Sequence, residues 1–238
     1  MKVTIHQPEH LPWLGFFHKM FMADVIVVLD NVQYRRRYFQ NRNRIRTING
    51  WQWITVPIEK ENRDELLIKD AIISSEDLKW KKKNADSIFY NYSKAPFFNM
   101  YWEGFINAYN FQSHHLSGMN LSLIQFLMKS FGIQRNLRLA SELSVAGTKG
   151  DLMLTICEAV GATCYISGIS GREYFDTDSF RKSGINVTFQ EFHHPIYKQL
   201  YEPFIPCMSS LDLLFNYGEG SLDIINGIGV PVMETVFK

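Results

Sequence analysis

The sequence predicts an α/β fold: a mostly parallel central sheet flanked by helices, in one domain over residues 1–238, with a helical insertion at about 75–135. Three observations carry that expectation. Strand and helix patterns alternate near both ends of the chain, the mark of βαβ units. Val25–Leu29 is an unbroken apolar run of five, as expected of a strand buried on both faces. Between the two ends lie three successive helical patterns.

Val3–Ile5 reads as the first strand and leads into a helix beginning near Leu14. Pro12 suits the turn before it, and Leu14, Phe17 and Phe21 form its apolar stripe. Val25–Leu29, the second strand, ends on Asp30. The Asn49-Gly50 turn between NRIRTI and WQWITV predicts a β-hairpin. Arg44 and Arg46 should share one face of its first arm, and Ile45 and Thr47 the other. The charged stretch Glu59–Asp70 reads as a loop and Ile68–Ile73 as a short strand. Helices follow from Glu76 to about Ser93 (Ser75 as cap, Leu78 on the apolar face), over Phe97–Phe111, and from Leu116 to Phe131, stopped by Gly132. The last third returns to strand at Leu137–Ala140, helix at Asp151–Val160, and strands at Thr163–Ser167 and Ile185–Phe189. A final helix covers Leu211–Asn216.

Hydrophobic residues make up 46% of the chain, enough for a sizeable core, and the net charge of +1 argues against a general nucleic-acid coat. The basic groups are unevenly spread: Arg35, Arg36, Arg37, Arg42, Arg44 and Arg46 fall within twelve positions. They form either a solvated face or an anion site for phosphate or pyrophosphate. Cys157, Cys164 and Cys207 match neither a disulfide framework nor a zinc site, and Cys157 reads as a core residue. No apolar run approaches the roughly 20 residues of a membrane span. No secretory leader is evident, so a soluble, cytoplasmic protein without membrane insertion is expected.

The stretch HQPEHLPWLGFFHKMFMADVIVVLDNVQY, from His6, resembles the opening signature of the WbqC-like family of bacterial polysaccharide gene clusters. TKGDLMLTICEAVGATCYISGISGREYF resembles its middle, and FHHPIYKQLYEPFIPCMSSLDLLFNYG its closing signature. The resemblance implies a glycine transferase acting on an amino sugar in O-antigen biosynthesis.

The residues themselves give candidates. His6 follows the first strand, so a parallel sheet places it with Gln7 at the ligand-binding carboxyl edge. A His near the start of the first helix gives a fold-level analogy to nucleotide-binding, Rossmann-like proteins. Lys19 lies on helix 1, where it either reaches a phosphate or carboxylate or is a surface Lys; Asp24 caps that helix or pairs with Lys19. Asp30 sits at an expected exposed strand end, suited to general-base work. Gln33, Tyr34, Arg42, Asn43 and Arg44 are suited to sugar or nucleotide recognition, and Trp53 is either a stacking platform or core. Lys149 precedes a helix, giving either an anion site or a solvated Lys beside a Thr148 cap. Ser167 and Tyr174 flank the polar turn after a later strand. In the closing motif, Tyr197 and Gln199 share a face, as do Asp212 and Asn216. Asp212 is surrounded by apolar residues, so it needs a partner, for which Arg or Lys from the first motif would serve. His193-His194-Pro195 fits no metal spacing, so no metal site is expected.

Combined with the resemblance, these residues imply acyl transfer, of glycine, to the amine of a nucleotide-linked amino sugar. Arg42, Arg44 and Lys149 suit the pyrophosphate, and Gln7, Gln33, Asn43, Tyr197 and Gln199 the sugar. His6 or Asp30 suits the base. The glycyl donor is either ATP-activated glycine, with magnesium, or glycyl-tRNA. Two readings compete: an ATP-dependent nucleotidyltransferase or ligase, and a non-catalytic sugar-nucleotide-binding or assembly factor. The aromatic helices between Phe89 and Phe131 are a candidate homodimer face.

Overall fold

A computed structural model describes residues 1–59, 65–76, 79–173 and 176–233. The chain opens with strand β1 (Lys2–His6), helix α1 (Leu14–Met22) and strand β2 (Val25–Val28), then the hairpin strands β3 (Arg42–Thr47) and β4 (Gly50–Thr55). Helices α2 (Trp80–Tyr92), α3 (Phe98–Tyr109) and α4 (Leu116–Ser130) follow. Strand β5 (Asn136–Leu139), helix α5 (Lys149–Ala159), strand β6 (Cys164–Ser167), helix α6 (Thr177–Lys182) and strand β7 (Asn186–Phe189) come next, before α7 (Leu211–Tyr217) and α8 (Ser221–Ile225).

The central sheet has five parallel strands in the order β5-β2-β1-β6-β7. Numbered among themselves along the chain, these strands run 3-2-1-4-5. The sheet is therefore wound in both directions from β1, and the order reverses between β1 and β6. Successive residues of a strand face opposite sides. Val3 and Ile5 of β1 and Val25 and Val27 of β2 pack with Leu152, Ile156 and Cys157 of α5 and Phe180 of α6. Ile26, between two of these, joins the second core, which holds Phe17 and Met20 of α1, Phe105 of α3, Leu123 and Leu127 of α4 and Leu213 of α7. Gly15 lets α1 start here, because a Cβ at that position would stand 2.6 Å from the Trp13 ring.

The hairpin lies apart as a two-stranded antiparallel sheet pairing Arg44 with Trp53 and Arg46 with Trp51. Three local expectations are corrected. Ile68–Asp70 is a 3-10 turn and Ile72 and Ile73 make only isolated bridges, because backbone bonds tie Ile68 to Val32 and Ile73 to His114 rather than to one strand. Helix α2 starts at Trp80, so Ser75 does not cap it, and Leu78 lies outside the described residues. Asp24 neither caps α1 nor meets Lys19; its Oδ2 accepts the Lys2 backbone N–H at 2.7 Å, at the opposite end of β1. No helix among the described residues is long and apolar enough to cross a membrane.

Candidate functional site

A cleft of about 620 Å³ opens beside the carboxyl ends of β1 and β6, where the strand order reverses. Three ionisable groups from the first twenty residues form its floor: His6, Glu9 and Lys19. His6 ends β1 and packs edge-on against Phe16, with ring centroids 4.8 Å apart. Its Nδ1 donates to the Gln7 carbonyl at 3.0 Å, which leaves Nε2 with its lone pair. Burial and then the nearby Lys19 push its pKa down to about 3, so the ring is neutral at physiological pH.

Lys19 is 4% exposed; its stem runs back along α1 and its ammonium donates to the Ile5 carbonyl at 3.3 Å. Burial lowers its pKa to about 7, opposed by the Glu9 carboxylate. Glu9 is 7% exposed, and burial raises its pKa to about 7, opposed by Lys19. Its Oε1 stands 4.0 Å from His6 Nδ1, and its buried Oε2 has no hydrogen-bond partner. An acid and an amine that both titrate near neutrality, facing one cleft, exchange protons at little cost.

The wall beside this floor hangs on Asn120 of α4. Its amide donates to the Pro8 carbonyl at 3.1 Å and the Gln40 carbonyl at 2.7 Å, while its Oδ1 lies 3.1 Å from His10 Nδ1. Gln40 in turn donates to the Gln7 side chain at 2.7 Å and accepts the Arg35 N–H at 2.7 Å. Gln7, Gln33, Arg35 and Tyr38 line this side. Opposite stand Lys149, at the start of α5, and Ser167, at the end of β6. Lys149 has φ +51°, and Thr148 makes no side-chain cap, so the anion-site option for this helix start keeps its open N–H groups.

The cleft thus brings together His6, Gln7, Lys19, Gln33, Lys149 and Ser167. It leaves out the others. Asp30 is not at an exposed edge: it is 2% exposed, and its carboxylate accepts the Ser141 N–H at 2.9 Å and hydroxyl at 2.6 Å, pinning β2 to the turn after β5. Tyr34 is buried in the α1-side core. Asn43 is buried, its amide donating to the Leu11 carbonyl at 2.8 Å. Arg42, Arg44 and Trp53 lie on the hairpin, where the Arg42 guanidinium sits 4.0 Å over the Trp53 ring. Tyr174 lies outside the described residues.

Tyr197, Gln199 and Asp212 meet in a separate buried network. Asp212 Oδ2 accepts from the Tyr197 hydroxyl and the Gln199 amide, each at 2.9 Å, and burial raises its pKa to about 6. Asp212 is thus partnered from its own closing motif and not by Arg or Lys of the first; Arg46, beyond that motif, reaches it only indirectly, its Nε donating to Gln199 Oε1 at 3.3 Å. Arg46, 1% exposed, also donates to the carbonyls of Thr47, Gly50 and Pro203. Asn216 donates to the Asp212 backbone carbonyl at 2.7 Å. This network locks the hairpin to α7 rather than lining the cleft. No cluster of three or more metal-ligating side chains occurs among the described residues.

Glu9 escaped the sequence reading. Its signal was available: it is the sole carboxylate before Asp24, set between two histidines in an otherwise apolar and basic stretch.

A doubly wound parallel sheet flanked by helices, with an ionisable cleft at its switch point, defines an α/β protein with a candidate site at that cleft. Residues 7–224 match the WbqC-like protein family, and the chain belongs to it. It is also 34% identical over 226 residues to the uncharacterized protein Rv1507c of Mycobacterium tuberculosis (strain ATCC 25618 / H37Rv), covering 94% of this chain and 97% of that one. No solved structure matches.

Proposed function

We propose that this protein is an acyltransferase, moving a glycyl group onto the amine of a nucleotide-linked amino sugar in polysaccharide biosynthesis. The observation that carries the reading is Glu9: a buried carboxylate with an unpartnered oxygen in the cleft and a pKa raised to about 7. Such a group binds an ammonium and takes its proton at neutral pH. The freed amine nitrogen attacks the acyl carbon, and as the bond from that carbon to the donor's oxygen breaks Glu9 passes its proton to the departing oxygen; the Glu9 carboxylate then takes the second proton from the nitrogen as the neutral amide forms and releases it to solvent. The Lys19 ammonium, when protonated, stabilises the charge that develops on the carbonyl oxygen. Lys149 and the open start of α5 suit the phosphates of the nucleotide. Gln7 and Gln33 suit the sugar hydroxyls. The glycyl identity rests on the family resemblance, and the donor is ATP-activated glycine or glycyl-tRNA.

The test is a thermal-shift panel of UDP-, dTDP- and GDP-amino sugars, glycine, and ATP with magnesium, followed by single-turnover transfer from a radiolabelled glycyl donor. A ligand at about 100 times its Kd should raise the Tm by roughly 5–10 °C. Transfer should fall about 100-fold or more in Glu9→Gln. Stabilisation by ATP alone, with phosphate release, would support the ligase or nucleotidyltransferase reading instead. Sugar-nucleotide binding without turnover would leave a binding or assembly factor.

A further inference from the structure

We infer that the outer face of the β3–β4 hairpin binds a single strand of polynucleotide running toward the cleft. This goes beyond the acyl-transfer reading, since it concerns a surface outside the His6–Glu9–Lys19 floor.

Charge points there first. Residues 31–58 hold six arginines and no Asp or Glu, so the rest of the chain carries a net charge of −5. The hairpin register then sorts the side chains. Asn43, Ile45 and Ile54 are buried on one face, while Arg42, Arg44, Trp51 and Trp53 stand on the other, which also carries Arg46, buried against Gln199 and Pro203. Trp51 and Trp53 are 44% and 36% exposed, unusual for large rings on a sheet. The Arg42 guanidinium lies 4.0 Å from the Trp53 ring centroid and that of Arg44 5.2 Å from Trp51. No carboxylate neutralises either arginine among the described residues. Cations interleaved with exposed rings are what a phosphate backbone with splayed bases requires.

The face is also continuous with the cleft. Tyr38 lines the cleft and is 45% exposed. From it the rings step to Phe39, Trp53 and Trp51 at centroid separations of 5.6, 6.2 and 5.6 Å. They are tilted by 69°, 52° and 83° to one another, so they meet edge to face rather than in a closed stack. One nucleotide in the cleft cannot cover that path. Arg44 also donates to the Cys207 carbonyl at 3.1 Å, and an uncharged glycan would use the rings but leave the charges of Arg42 and Arg44 uncompensated.

The probe is a fluorescein-labelled single-stranded oligoadenylate of about 12 nucleotides, read by anisotropy and by tryptophan quenching on the full chain. Engagement of about three phosphates gives a log–log salt slope near −2. The same strand in a duplex should bind at least about ten-fold more weakly, since its bases are stacked away from the rings. Trp53→Leu should weaken binding about five-fold or more, and Arg42→Gln with Arg44→Gln should flatten the salt slope by about 1.4. If Trp53→Leu misfolds, the exposed Trp51→Leu gives the same reading. Glu9→Gln should leave this binding intact while transfer is lost, which separates failure here from failure of the acyl-transfer reading. No saturable binding, a salt-independent affinity, full competition by equimolar UDP or ADP, or quenching only by an uncharged oligosaccharide would each overturn the inference.

Discussion

Replacing Glu9 with Gln should stabilise the protein above neutral pH while disabling it. A carboxylate whose pKa rises from 4.5 to about 7 on folding holds its proton more tightly in the native state. Its contribution to stability is therefore fully present below pH 4.5 and is lost as pH rises through 7. The shift corresponds to about 3 kcal/mol, since each pKa unit is about 1.4 kcal/mol. Lys19 works in the opposite range. Its pKa falls from 10.5 to about 7, so its contribution is present above pH 10.5 and lost as pH falls to 7. Together the pair places a stability minimum near neutrality. In Glu9→Gln the decline between pH 4.5 and 7 disappears, so the variant should exceed the parent at pH 8 by about 6–12 °C in Tm, relative to their difference at pH 5. Urea unfolding at the two pH values gives the same comparison as a free energy. Parallel stability profiles for the two proteins from pH 4.5 to 8 would refute the assignment of Glu9 as a buried, proton-sharing carboxylate.

Three further outcomes follow from packing and hydrogen bonding. Gly15→Ala drives a methyl to within 2.6 Å of the Trp13 ring and should cost about 1–3 kcal/mol in urea unfolding. Arg46→Ala strips donors from three backbone carbonyls and the Gln199 amide, and should destabilise by about 3–5 kcal/mol while also freeing the hairpin to exchange amide hydrogens. Asp30→Ala should cost about 1–3 kcal/mol through its lost bonds to Ser141, yet leave the affinity of any cleft ligand within about two-fold.

Much of this architecture is written in local pattern. The apolar run at Val25 marks a strand enclosed on both faces, and the Asn49-Gly50 turn marks the hairpin, because both depend on neighbouring residues alone. The strand order does not, since it depends on β5 returning beside β2 after more than a hundred residues. Site residues divide the same way. His6, Gln7 and Lys19 reach the cleft because β1 and α1 are consecutive. Asp30 looked open at the end of its strand, but Ser141, 111 residues away, takes its carboxylate. Arg44 and Arg46 share a strand face by spacing, but only Arg46 meets the Pro203 carbonyl, which removes it from the surface. Glu9 was legible by position and was overlooked; that its second oxygen stays unpaired was not.

The strand made first lies at the middle of the sheet. β1 takes β2 as one neighbour almost at once, through Val3–Val25 and Ile5–Val27, but its other edge waits for Cys164–Ile166. Until those residues emerge from the ribosome, the nascent chain carries a bare, apolar strand edge beside half of a ligand pocket. Such an edge invites pairing with other chains. Expression of fragments ending before residue 164 should therefore give aggregates, and fragments that include β6 should aggregate less.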